Sequence, residues 1–123
     1  MMVLVDTSVW IDHFKKGNAS LEKLLLDVEV ACHPFIIGEL ACGNLKNSNE
    51  ILTLLHSLPM APIVEHDEIL YFIESNNLMG IGIGLIDVHL LASAHLAHAP
   101  LWTIDKKLLN LTDVLGVSYS IRR

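Results

Sequence analysis

Short apolar runs alternate with longer stretches of helical periodicity from one end of this chain to the other. That alternation is the signature of an α/β fold. Met2–Val5 is apolar throughout and predicts a first strand buried on both faces. Val9 to Phe14 predicts a short helix stopped near Gly17, with Thr7 or Ser8 as its cap. Leu21, Leu24, Leu25 and Val28 recur at helical spacing, with Glu22, Lys23 and Asp27 on the other side. A second strand is expected around Val28–Cys32.

Pro34 suits the first position of a helix that runs to about Cys42 and ends at Gly43-Asn44. Asn49 to Ser57 predicts another helix, closed by Pro59, and Pro62–Val64 is a short strand candidate. Asp67 is the expected cap of a helix through about Ser75, with Glu68 favoured in its first turn by the helix dipole. A glycine-rich stretch ends at Gly84, and Leu85 to Ala97 follows as the most apolar helix. Leu101–Ile104 predicts a fourth strand, Lys106–Asn110 a short helix, and Gly116–Ile121 a fifth strand. Parallel strands joined by helices form a sheet covered on both faces, and such sheets bind ligands at the carboxyl ends of their strands.

Composition narrows the function. The 123 residues fit one domain, and a hydrophobic fraction of 52% with a charged fraction of 18% gives a chain able to bury a core. Fourteen acids against eight bases leave a net charge of −6, which argues against a domain that grips nucleic acid through a broad basic face. It leaves room for an enzyme that reaches nucleic acid through bound cations. No apolar run approaches the roughly 20 residues of a membrane helix. With no basic flank or cleavage site at the start and only Cys32 and Cys42 as cysteines, the expected setting is a reducing cytoplasm with free thiols.

Four acids stand where strands and apolar helices should not hold them. Asp6 ends Val3-Leu4-Val5 and Asp105 ends Leu101-Trp102-Thr103-Ile104, so two strands deliver a carboxylate to one edge of the sheet. Glu39 and Asp87 sit in apolar helical segments, each expected near a helix N-terminus. At about 5 Å and an effective dielectric near 20, each like-charge pair would cost roughly 3 kcal/mol. Either some of the acids protonate, or divalent cations neutralise them. An all-oxygen set suits a hard ion, Mg²⁺ or Mn²⁺, which activates water and clamps a phosphodiester. Taken singly, each acid has a plainer reading as a helix cap or a lysine's partner, as Asp12 has before Lys15 and Lys16.

The segments around these acids resemble a known family. Val3-Leu4-Val5-Asp6-Thr7-Ser8-Val9-Trp10-Ile11 resembles the opening of PIN-domain ribonucleases, especially the VapC-type toxins of toxin–antitoxin pairs. Pro34-Phe35-Ile36-Ile37-Gly38-Glu39-Leu40 resembles their second acidic motif, Gly84 to Ala94 the third, and Leu101 to Leu108 the fourth. The resemblance implies one PIN domain over residues 1–123, a three-layer α/β fold with a central, mostly parallel sheet of about five strands. It implies a Mg²⁺-dependent endoribonuclease, with Mn²⁺ as substitute, whose metal-binding acids are Asp6, Glu39, Asp87 and Asp105. Thr7 or Ser8 would steady them by hydrogen bonds. It further implies a homodimer, an RNA substrate and an antitoxin whose C-terminal segment covers the acids. The residue before the last acid, often basic in the family, is Ile104 here, and the only arginines are Arg122 and Arg123. RNA contact then falls to lysines, with Lys106 and Lys107 best placed.

Other constellations carry less. Cys32, His33 and Cys42 lack the paired spacing of a zinc site, which leaves the cysteines as core thiols. His89 lies two residues from Asp87, on a different helical face, and is expected at a surface or interface. Gly80-Ile81-Gly82-Ile83-Gly84 lacks a nucleotide loop's spacing and reads as a flexible turn ahead of Asp87. Trp10, Trp102 and Met79 are candidates for the core or a dimer interface. A mean hydropathy of +0.49 hints at an apolar association surface. Two other classes stand against the nuclease. One is a catalytically silent PIN-like binding module. The other is a haloacid dehalogenase phosphatase, which needs a second Asp where Ser8 stands.

Overall fold

The computed structural model describes residues 1–121; Arg122 and Arg123 lie outside the described residues. Its elements are β1 (Val3–Val5), α1 (Thr7–Lys16), α2 (Ala19–Leu26), β2 (Val30–Ala31), α3 (Pro34–Cys42), α4 (Ser48–His56), α5 (His66–Ser75), α6 (Leu85–Ala97), β3 (Leu101–Trp102) and α7 (Lys106–Val114). The three strands form one parallel sheet in the order β2-β1-β3. Helices flank it, as the α/β patterning requires.

β1 lies at the centre because Val3, Leu4 and Val5 offer no polar face, and all three are fully buried. Val3 pairs with Val30 on one side, and Leu4 with Leu101 on the other. Of the two further strands expected, Gly116–Ile121 shrinks to a single bridge, and Pro62–Val64 pairs nowhere, a single bridge forming just before it; the two bridges lie one on each outer edge. Cys32 bridges Met60 in parallel, and Leu101 bridges Ser118. Pro62 has no N–H to extend the first ladder.

The helix starts correct two expectations. α1 is capped by Asp6, not by Thr7 or Ser8, which are already helical. α5 begins at His66 with Glu65 as its cap residue, so Asp67 and Glu68 both fall in its first turn. α7 runs past the expected Asn110 to Val114, where Leu108, Leu111, Thr112 and Leu115 keep helical spacing toward the core. α6 is buried from Val88 through Ala94, and it packs against β3 and α5. α3 packs against α1 and α4. Trp10 stacks on Phe14 within the main core at a centroid distance of 5.9 Å, and Trp102 tilts against Tyr119.

Among the described residues, no helix is long and apolar enough to cross a membrane. Met79 is exposed rather than part of the core. Cys32 is buried, and burial pushes its thiol up to about 11; Cys42 is exposed, against the expectation of two core thiols.

Candidate metal centre

The carboxyl end of β1 passes directly into Asp6, whose extended backbone (φ −67°, ψ 155°) turns the chain into α1. Its side chain is 4% exposed and would be costly to hold there without partners. Three donors meet one oxygen: Ser8 Oγ at 2.6 Å, Thr103 Oγ1 at 2.8 Å and the Ser8 N–H at 3.3 Å all donate to Oδ2. The two hydroxyls are 3.2 Å apart, but each has spent its proton on Asp6. Their lone pairs serve the next loop, where Ser8 Oγ accepts from the Ile104 N–H and Thr103 Oγ1 from the Asp105 N–H. This network ties the end of β1 to the segment after β3.

Glu39 and Asp105 are anchored in the same half-free manner. Thr7 Oγ1 donates to Glu39 Oε1 at 2.8 Å, linking α1 to the second turn of α3. Glu39 therefore sits in mid-helix, not near the N-terminus as expected, whereas Asp87 does fall in the first turn of α6. Asp105 caps α7, its Oδ1 accepting from the Leu108 N–H at 3.1 Å. Asp6 Oδ1, Glu39 Oε2, Asp105 Oδ2 and both Asp87 oxygens accept no hydrogen bond among the described residues.

Asp87 carries the electrostatic cost of this arrangement. Partial burial, then the charges of Asp6, Glu39 and Asp105, push its carboxyl up to about 6. The structure thus brings all four sequence-predicted acids into mutual range, at the sheet edge where ligands bind. They repel without closing into a cage: among the described residues, no three His, Cys, Asp or Glu side chains are grouped tightly enough to hold an ion. The donor set nevertheless fits a hard cation, being all oxygen and strongly anionic, with a free oxygen on every acid.

The glycines before Asp87 do the work expected of them. Gly80 and Gly82 have φ of 70° and 79°, which other residues rarely adopt, and Gly84 caps α6. Lys106 and Lys107 are exposed beside Asp105, and Lys107 Nζ reaches the Gly82 carbonyl at 3.4 Å. Lys16 pairs with Asp12 at 3.3 Å on the outside of α1. Thr103, 3% exposed, is the residue that sequence reasoning missed. A hydroxyl two positions before the acid, at the end of an otherwise apolar strand, was its signal.

His89 corrects another expectation. Only 6% exposed, it lies edge-on to Phe35 at 4.7 Å and 75° instead of lying at the surface. Phe35 also tilts against His33, whose Nδ1 accepts from the Phe35 N–H and caps α3. His33 Nε2 and His89 Nδ1 are buried with no partner. Burial, and then the charge of His89 on His33 and of His66 on His89, holds both pKa values down, that of His33 to about 4.

A family model described as PIN domain matches residues 3–114, and a parallel sheet with acids at its carboxyl edge is the architecture that places them together. The chain belongs to the PIN-domain family, whose nucleases depend on divalent metal ions, and within it to the VapC-type ribonucleases. That narrower placement rests on Ribonuclease VapC32 of Mycobacterium tuberculosis, in both the CDC 1551 / Oshkosh and the ATCC 25618 / H37Rv strains. Each is 47% identical over 118 residues, covering 95% of either chain. Among solved structures, that of PAE2754 from Pyrobaculum aerophilum shares the fold with a TM-score of 0.61 at 18% identity. The match covers 94% of this chain and 96% of that one.

Proposed function

We propose that this protein is a Mg²⁺-dependent endoribonuclease, with Mn²⁺ as substitute, and the toxin of a toxin–antitoxin pair. Asp6, Glu39, Asp87 and Asp105 would hold the metal. The observation that carries the reading is Asp6: three donors fix one carboxylate oxygen and leave the other open, beside an Asp87 whose pKa is raised by burial and then by Asp6, Glu39 and Asp105. A group held so, at such cost, is suited to a cation.

The bound cation supplies neutralisation of the phosphodiester and a water made nucleophilic near neutral pH. The chain supplies the positioning. Ser8 and Thr103 orient Asp6, Thr7 orients Glu39, and the α7 cap orients Asp105. Asp87, its carboxyl raised to about 6 by burial and the neighbouring acids, would be a ligand of the cation in its ionised form. Lys106 and Lys107 flank Asp105 as contacts for RNA phosphates.

The partners follow from the same chemistry. An acidic pocket on a chain of net charge −6 suits a basic segment of an antitoxin. Exposed Leu70, Tyr71 and Leu96 on α5 and α6 support association into a homodimer, and the setting is the cytoplasm. The decisive experiment is cleavage of total cellular RNA by antitoxin-free protein in Mg²⁺ and in EDTA, beside Asp6→Asn. Discrete fragments that need both the metal and Asp6 are expected. No cleavage together with no thermal stabilisation by Mn²⁺ would instead identify a silent binding module.

A further inference from the structure

A groove of about 590 Å³ opens between the start of α3 and the start of α6, lined chiefly by Pro34, Phe35, Glu39, Leu85, Ile86 and His89. Glu39 is shared with the acid cluster, so the groove begins where that cluster ends. Its other walls are apolar or aromatic. Phe35 and His89 meet edge to face, and the His89 Nδ1 is sealed with no partner. Nε2 is not sealed in this way, and the ring itself lines the groove. A buried Nδ1 with no acceptor is held most cheaply as a bare lone pair, which puts the ring proton on Nε2. The groove therefore presents a flat aromatic surface and one directed N–H donor beside Glu39.

We infer that this groove is a nucleobase subsite: the base next to the cleaved phosphodiester of a single-stranded RNA packs on Phe35 and accepts a hydrogen bond from His89 Nε2. The inference rests on the ribonuclease reading above. A phosphate cannot enter beside Glu39 without a cation, whereas a base is planar, uncharged and one nucleotide away from the acids. Unpaired bases stacked on aromatic side chains and read at their edges are the usual currency of single-strand RNA recognition. Base pairing would hide that edge, so a duplex is excluded as the occupant.

The test uses the Asp87→Asn protein, so that binding is measured without turnover, and fluorescent RNA hexamers, each with one abasic position. Phe35→Leu should weaken the intact hexamer roughly ten- to hundredfold and should not weaken further the hexamer abasic at one particular position. His89→Phe, which keeps a ring but removes the donor, should flatten the choice among bases at that position, and His89→Gln should restore part of it. Melting curves of each variant separate loss of fold from loss of recognition. Equal weakening of every abasic hexamer, no effect of Phe35→Leu, or no hexamer binding would each overturn the subsite. So would a Phe35→Leu protein that binds all hexamers normally but loses a basic, apolar partner peptide. The ribonuclease reading fails on a different result, metal-dependent cleavage that survives Asp6→Asn. The two failures are thus distinguishable.

Discussion

Thr103 Oγ1 donates a 2.8 Å hydrogen bond to Asp6 Oδ2 across 97 positions of sequence. The bond joins the segment after β3 to the end of β1, and the Thr103 oxygen accepts from the Asp105 N–H in turn. One hydroxyl thus sets the mutual position of two acids.

Thr103→Val keeps the shape and removes the donor. It should cost about 1–3 kcal/mol by leaving a buried carboxylate short of a partner. Outer-shell losses of this kind weaken metal affinity by roughly 10–100-fold. Isothermal titration with Mn²⁺ checks the second effect. Thr103→Ser should restore most of it, and a Val protein with unchanged affinity would remove Thr103 from the site.

Asp87→Asn relieves the repulsion that raises the pKa. In metal-free buffer at pH 7 the variant should be more stable than the parent by about 1–2 kcal/mol, after allowance for the solvent that reaches this half-buried group. That corresponds to a melting temperature higher by roughly 3–8 °C. The same variant should lose stabilisation by Mn²⁺. A lower melting temperature would show that Asp87 is a structural partner, not a strained acid.

Acid should act on two groups in opposite directions. Asp87 is raised to about 6, so its contribution is present below the ordinary carboxylate range and lost as pH rises through 6. His33 is lowered to about 4, so its contribution is present above pH 6.5 and lost as pH falls toward 4. Over the shared window, between about 4 and 6, the two slopes oppose each other. His89, also held down, adds to the His33 side, so chelated wild-type protein should lose some stability on acidification there, and less than Asp87→Asn does. Asp87→Asn should lose stability steeply on acidification, as urea melts at successive pH values would show.

If the proposed cation sits at Asp87, it competes with the Asp87 proton. Stabilisation by Mn²⁺ should grow from pH 5 to pH 7 and then level off. A response that is flat across this range would place the ion away from Asp87.

Asp105 has two separable duties. Asp105→Asn keeps a side-chain oxygen to cap α7 and should leave stability within a few tenths of a kcal/mol, whereas Asp105→Ala should cost about 1 kcal/mol. Both should weaken Mn²⁺ binding. If only the Ala variant does so, the carboxylate serves the helix alone.

The acids were legible because each breaks a local rule: Asp6 ends β1, Asp105 closes the apolar run Leu101–Ile104 three residues past the end of β3, and Glu39 and Asp87 interrupt apolar helices. Their neighbours were less so. Thr103 acts through a contact that no local pattern encodes. His89 looks like a surface residue beside Asp87, and only the packing of α3 against its ring buries it. Strand ends were misjudged where pairing partners run out: Met60 and Ser118 each make one bridge because nothing continues the ladder beyond them. The cap of α1 was assigned one or two positions late, since Asp6 can serve as cap and acid together by using its two oxygens differently.

The central place of β1 has a consequence in time. The first strand to leave the ribosome must wait for β3, some hundred residues later, before it gains its second neighbour. At about 5–20 residues per second, that wait lasts from several seconds to some twenty. Asp6 acquires the Thr103 hydroxyl only then. The end of β1 and the segment after β3 are therefore joined only when nearly the whole chain has been made.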